Sequence, residues 1–168
     1  MSIGTRTPRD LARRLAALAV LTREDADRLR EALRLSNDQH RRLGDMADAS
    51  VAMRGDPPPG PQMLRAALFA HGRGGACDGA LVAQADSGAA ADDPAWRSAH
   101  RFLADTPEPK LPFSGAELIG RGLHAGPAMG RVLKNLQARW IRAGFPHEPA
   151  DIARLVDEAL ASVGRKDV

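Results

Sequence analysis

The chain of 168 residues has no Tyr, four Phe and two Trp, so aromatics supply 4% of it. β-branched residues are few while Ala is abundant. Strands draw on β-branched and aromatic side chains, so this composition excludes a β-rich fold. Cys77 is alone and has no internal disulfide partner. No Cys or His stands at ligand spacing around it, and the five His (His40, His71, His100, His124, His147) never fall at i,i+4 with one another or with the Cys. A disulfide scaffold and a zinc site are therefore not expected. There is no run of about 18 apolar residues, and Met1 to Asp10 hold no apolar core of a signal peptide. These absences predict no membrane span, and a cytoplasmic, reducing location. A chain of this length buries roughly 70% of its unfolded surface and folds without staples. It fits one compact domain or a two-lobed half of a larger protein.

Lysine is scarce too: 21 of the 24 cations are Arg, and 21 acids bring the formal charge to +3. A guanidinium is the better fork for phosphates and carboxylates, although an Arg bias also follows from base composition alone. The distribution says more than the sum. Lys110, Arg121, Arg131, Lys134, Arg139 and Arg142 stand against one acid, Glu117, between positions 110 and 142. The positive excess of the chain sits in that segment, and acids outnumber cations elsewhere.

What is present reads as helix after helix. Pro8 at a first turn is followed by Leu11, Leu15, Leu18 and Ala19 at helical spacing. Thr22 with Asp25, and Ser36 with Gln39, are capping pairs that open a second helix and a third reaching about Met53. Gly55-Asp56-Pro57-Pro58-Pro59-Gly60-Pro61 cannot be helical, because successive prolines lack amide donors and hold the chain extended. Met63, Leu64, Ala67 and Leu68 resume a helical face, broken at Gly72-Arg73-Gly74-Gly75, and a short helix follows from Asp78 to Ala85. Small residues around 86–92 predict a mobile loop, after which Asp93-Pro94 caps a helix carrying Trp96, Phe102 and Leu103. A last helix runs from Pro149 to about Val163. The expectation is an all-α bundle of about eight or nine short helices ending in a glycine-containing hairpin and a C-terminal helix. Its parts are a helical body segment 1–54, a Pro-rich elbow 55–61, a helical segment 62–106 and a tail 107–168.

The tail carries the pattern with chemical content. Ser114 and Glu117 make a capping box for a short helix that stops near Gly122, and Pro127 opens the next helix behind Gly126. The start of a helix offers unpaired N–H groups and about half a positive charge, a ready site for an anion. Gly126 and Gly130 leave room for a polyanion's backbone to approach. At about 100° per residue, Met129, Val132, Leu133, Leu136 and Trp140 share one face, with Arg131, Lys134, Asn135, Arg139 and Arg142 on the other. Such a helix holds a nucleic-acid backbone by shape and charge. The competing reading is that the glycines serve helix packing and that the arginines are a solvated face.

Phe113-Ser114-Gly115-Ala116-Glu117-Leu118-Ile119, then Gly122, Gly126-Pro127-Ala128-Met129-Gly130, Leu133, Leu136 and Trp140 together resemble the C-terminal signature of bacterial tRNA nucleotidyltransferases. These are the CCA-adding enzymes and their poly(A) polymerase relatives. Leu33-Arg34-Leu35-Ser36-Asn37 resembles the start of a body-domain helix in the same family. The specific motif covers about thirty residues, with looser similarity over most of the chain. In this family a catalytic head holds paired Asp residues, two Mg²⁺ ions and CTP or ATP. The helical body and tail bind the acceptor and TΨC side of tRNA. The resemblance therefore implies a tRNA-binding region without catalytic residues, metal or cofactor of its own, whose head domain is supplied in cis or trans. From the resemblance together with the charge pattern of the tail, the expected RNA-binding residues are Lys110, Arg121, Gly122, Gly126, Gly130, Arg131, Lys134, Arg139 and Arg142.

Two strings imitate parts of that head and neck. Asp25-Ala26-Asp27 has the spacing of a metal-binding pair, but side chains two apart on a helix diverge by about 200°, whereas on a strand they share a face. Glu24-Asp25-Ala26-Asp27-Arg28 spells the family's nucleotide-reading Glu-Asp-x-x-Arg, yet it reads more simply as a helix start with acids near the positive end of the dipole. His124 is either a phosphate contact when protonated or an exposed turn residue. Trp96 and Trp140 lie on apolar faces and are expected in the core. The alternative function is a helical interaction or dimerisation module in which the helix at 126–142 packs against a partner.

Overall fold

The computed structural model describes residues 22–164 apart from 56 and 125, so the helix expected between Pro8 and Ala19 lies outside the described residues. Among the described residues the fold is all-α without a strand. Its helices are α1 (Arg23–Leu33), α2 (Asn37–Ala52), α3 (Pro61–Ser87), α4 (Pro94–Asp105), α5 (Gly115–Gly120), α6 (Pro127–Arg142) and α7 (Pro149–Gly164). The chain divides into two compact units, Met1–Glu108 and Pro109–Val168.

In the first unit, both predicted capping boxes form. The Thr22 hydroxyl accepts the Asp25 amide while the Asp25 carboxylate accepts the Thr22 amide, and Ser36 and Gln39 repeat the exchange at α2. The prolines at 57–59 carry the chain to Gly60, the N-cap of α3, so that α3 packs along α2. Contact there is very close. A Cβ on Gly79 would lie 2.5 Å from the Ala49 Cβ and 2.9 Å from the Ser50 nitrogen, so no larger residue fits without moving a helix. Beside it Arg42 donates from Nε to the fully buried Asp78 carboxylate at 3.0 Å, satisfying a charge that burial would otherwise penalise heavily. One core cluster is built from Ala49, Met53, Leu64, Leu68, Ala76, Ala80, Trp96 and Leu103. A second holds Ala26, Leu43, Met46, Ala47 and Val82.

The predicted break in α3 is one residue wide. Gly72 alone leaves the helix, at φ 64° and ψ 172°, and helical geometry resumes at Arg73, where the sequence places a wider gap reaching Asp78. Gly75 stays helical, and its missing side chain lets α3 approach Asp45 of α2. The kink turns Arg73 toward the end of α4. Its guanidinium donates to the carbonyls of Leu103 (2.8 Å), Ala104 and Thr106 (2.9 Å), and its amide donates to the Glu108 carboxylate at 2.9 Å. A cation thus occupies the negative end of the α4 dipole and satisfies carbonyls that the helix leaves open. Helix α3 continues to Ser87, so the loop expected from 86 begins at Gly88, which takes φ 73° as the C-cap.

His100 of α4 donates from Nε2 to Gln84 Oε1 at 2.7 Å, and Gln84 Nε2 donates to the Ala90 carbonyl at 2.7 Å. Burial lowers the pKa of His100, because charging the ring there costs solvation. The folded chain therefore refuses a proton that the unfolded chain accepts, and stability falls as pH drops below the ordinary histidine value of about 6.5. Denaturant titrations between pH 8 and 5 are expected to show a larger loss for the native chain than for His100→Gln; equal losses would refute the assignment. Gly79→Ala is expected to cost about 1–3 kcal/mol by overpacking. Gly74→Ala, in the same helix but with open space around the added carbon, is expected to gain about 0.5–1 kcal/mol. Chemical denaturation of the two variants checks the pair.

Candidate nucleic-acid interface

The second unit is organised around one aromatic residue. Trp140 is fully buried near the end of α6, edge-on to Phe145 (ring centroids 4.8 Å apart) and to Phe113 (6.2 Å). Its indole N–H donates to the Pro146 carbonyl at 2.9 Å. With Val132 and Leu136, also fully buried, it forms the inner face of α6, which packs against α7, where Leu155, Val156 and Ala159 are buried. At about 25 cal/mol per Å², burying a side chain of this size contributes about 4–6 kcal/mol.

Both helices flanking the expected site end in the same way. Beyond α5 the Gly122 amide donates to the Ile119 carbonyl (2.9 Å) and the Leu123 amide to that of Leu118 (3.0 Å), a Schellman closure with Gly122 at φ 89°. Beyond α6, Gly144 and Phe145 donate to Ile141 and Trp140 in the same pattern, at 3.0 and 3.1 Å. Gly122, expected at the RNA, thus has a sufficient reason within the chain itself. Of the capping box expected at α5, the hydroxyl half is present, with Ser114 Oγ accepting the Glu117 amide at 3.4 Å.

Gly126 is the N-cap of α6, at φ 154° and with no side-chain cap. Gly126 and Gly130 are both exposed, and a Cβ built on either meets nothing within 4 Å. Gly130 lies inside the helix, where glycine costs about 1 kcal/mol relative to Ala. Unlike Gly79, it gives no neighbouring helix room in return.

The cations expected together fall into two groups. Arg121 pairs with Asp157 of α7 (2.9 Å), and Arg139 pairs with Glu158 of α7 (3.0 Å) while also donating to Asn135 Oδ1 (2.7 Å). Arg142 donates from Nε to the Ala138 carbonyl at 3.3 Å. Lys110, Arg131 and Lys134 are exposed and hold no ion pair among the described residues. Asp157 and Glu158 were visible in the sequence as the acidic part of the last helix. Their partners were not, because which acid meets which guanidinium depends on how α7 crosses α6.

The strings that imitate the head and neck are occupied by local work. Asp25 closes the cap of α1 and pairs with Arg28 at 3.3 Å, and Asp27 meets His40 Nε2 at 2.6 Å. The two carboxylates thus have different partners on a helix, and do not fit the metal pair that the resemblance implies for a head. Among the described residues no group of three or more His, Cys, Asp or Glu could hold a metal ion. Among them, too, no helix is long and apolar enough to cross a membrane. No protein-family model matches the chain, and a search of curated proteins gives no significant match.

The division of α6 into an inner and an outer face is testable without a ligand. Leu136→Ala is expected to cost about 2–5 kcal/mol, whereas Lys134→Ala, two residues away, is expected to stay within about 0.5 kcal/mol of the native chain. Thermal or denaturant unfolding of the second unit reads both.

Proposed function

We propose that this chain is a tRNA-binding region resembling the body and tail of a CCA-adding tRNA nucleotidyltransferase, in which α5 and α6 act as a glycine hairpin that holds the RNA backbone. The observation that carries the reading is Gly130. It is an exposed glycine inside a helix, with open space where its side chain would be, beside the exposed Arg131 and Lys134, which hold no ion pair among the described residues. A bare backbone next to two cations lets a phosphate come close, and the start of the same helix adds its share of positive potential. In this reading the chain contributes grip and orientation on tRNA. Addition of CMP and AMP belongs to a head domain with its own metal ions, and no step of that chemistry is assigned to residues of this chain.

The interaction-module alternative is weaker on one point. The apolar face of α6 that a partner would cover is already buried, with Val132, Leu136 and Trp140 all at 0% exposure. Among the described residues that α6 exposes, Arg131, Lys134 and Arg142 are charged and none is a large apolar side chain.

An electrophoretic shift with tRNA at several salt concentrations tests the proposal. Arg131→Ala/Lys134→Ala is expected to weaken binding and to flatten the salt dependence by about 0.7–0.9 per lost phosphate contact. Gly130→Leu is expected to weaken binding while leaving that slope in place. Native affinity and slope in the double variant would sink the phosphate clamp. A dimer on size exclusion with no tRNA affinity would favour the alternative.

A further inference from the structure

Two of the six cations expected at the RNA are already engaged by carboxylates of the same unit. Arg121 stands at the C-cap of α5 and Arg139 in the last turn of α6, so the two come from different helices. Their partners, Asp157 and Glu158, are adjacent residues of α7. All four side chains are at least partly open to solvent: those of Arg121 and Arg139 are 34% and 29% exposed and those of Asp157 and Glu158 71% and 48%. Neither pair is sealed, and each guanidinium remains reachable by an external anion.

From this arrangement, and resting on the tRNA-binding reading above, we propose that Asp157 and Glu158 are affinity-setting residues that compete with RNA phosphates for Arg121 and Arg139. A carboxylate and a phosphate oxygen make the same charge-assisted bond to a guanidinium, so each internal pair must be given up for each phosphate gained. Two exposed ion pairs are weak enough to exchange, and two adjacent negative charges also repel an approaching polyanion. Native binding then rests on Lys110, Arg131 and Lys134, which hold no ion pair among the described residues, with Arg121 and Arg139 held in reserve. Such a device keeps the region from gripping any RNA too tightly to release it.

The test uses the full chain and tRNA, with affinity followed from roughly 50 to 200 mM salt, the range over which phosphate contacts are counted from the slope. Asp157→Asn/Glu158→Gln keeps the shape and one acceptor oxygen of each residue while removing their charge. It is expected to bind roughly 2- to 30-fold more tightly, the equivalent of two exposed ion pairs. Its salt slope is expected to steepen by about 1.4–1.8, for two new phosphate contacts. A charge-matched control, Glu117→Gln/Glu148→Gln, removes two exposed acids of the same unit that hold no ion pair among the described residues, and is expected to leave the slope unchanged. Adding Arg121→Gln/Arg139→Gln to the α7 variant is expected to abolish the gain. Thermal unfolding of each variant separates a folding defect from a binding effect.

An unchanged slope in the α7 variant, or an equal change in the control, would overturn the competition. Weaker binding by a folded α7 variant would also overturn it, showing that the acids hold the arginines in place for the RNA. Failure of the underlying reading looks different: the native chain would not bind tRNA, or Arg131→Ala/Lys134→Ala would bind as the native chain does.

Discussion

The burial of Val132, Leu136 and Trp140 along one side of α6 is the constraint on which the second unit depends. These three residues lie one helical turn apart, and turning them inward turns Arg131, Lys134 and Asn135 outward. No separate interaction is needed to display the charge. The Schellman closure at Gly144 and Phe145 brings the chain back so that Phe145 packs on Trp140 and the Pro146 carbonyl accepts the indole N–H. The same closure thus ends the helix, fills the core and satisfies the one polar atom of its largest residue.

Part of the positive charge in this unit is paired within the unit itself. Two of the cations between 110 and 142 are matched by carboxylates of α7: Arg121 at the end of α5 and Arg139 in the last turn of α6. The first unit treats its arginines differently again. Arg42 is spent on the buried Asp78, and Arg73 on the open carbonyls of α4. An Arg-rich composition therefore serves two structural tasks here, and the guanidinium suits both because its planar fork reaches several acceptors at once.

Local rules made much of this legible in advance. Thr22, Ser36, Asp93 and Ser114 all cap helices where capping chemistry predicts them, because the interacting groups lie within three residues of one another. The inner face of α6 followed from periodicity alone, and both Trp residues are core residues as their spacing implied. Long-range geometry was less readable. The glycines at 72, 74 and 75 read as one broad break, but only Gly72 leaves the helix, since Gly75 meets α2 at a distance that only the fold reveals. Gly122 read both as the stop of α5 and as an RNA contact, and its positive φ and closing hydrogen bonds show the stop. The pairing of Arg121 and Arg139 with α7 spans 36 and 19 residues, beyond any local pattern.

The absence of Tyr and the placement of the two Trp residues have an optical consequence. Each compact unit contains one indole, Trp96 in the first and Trp140 in the second, and both are fully buried. With no phenol in the chain, light too red for phenylalanine to absorb excites these two rings alone. Their surroundings differ: Trp96 lies beside the His100 ring, whereas the N–H of Trp140 is held by a carbonyl. Replacing one indole by Phe leaves a chain that reports on the other unit. The two halves of this protein therefore carry built-in, separable spectroscopic labels.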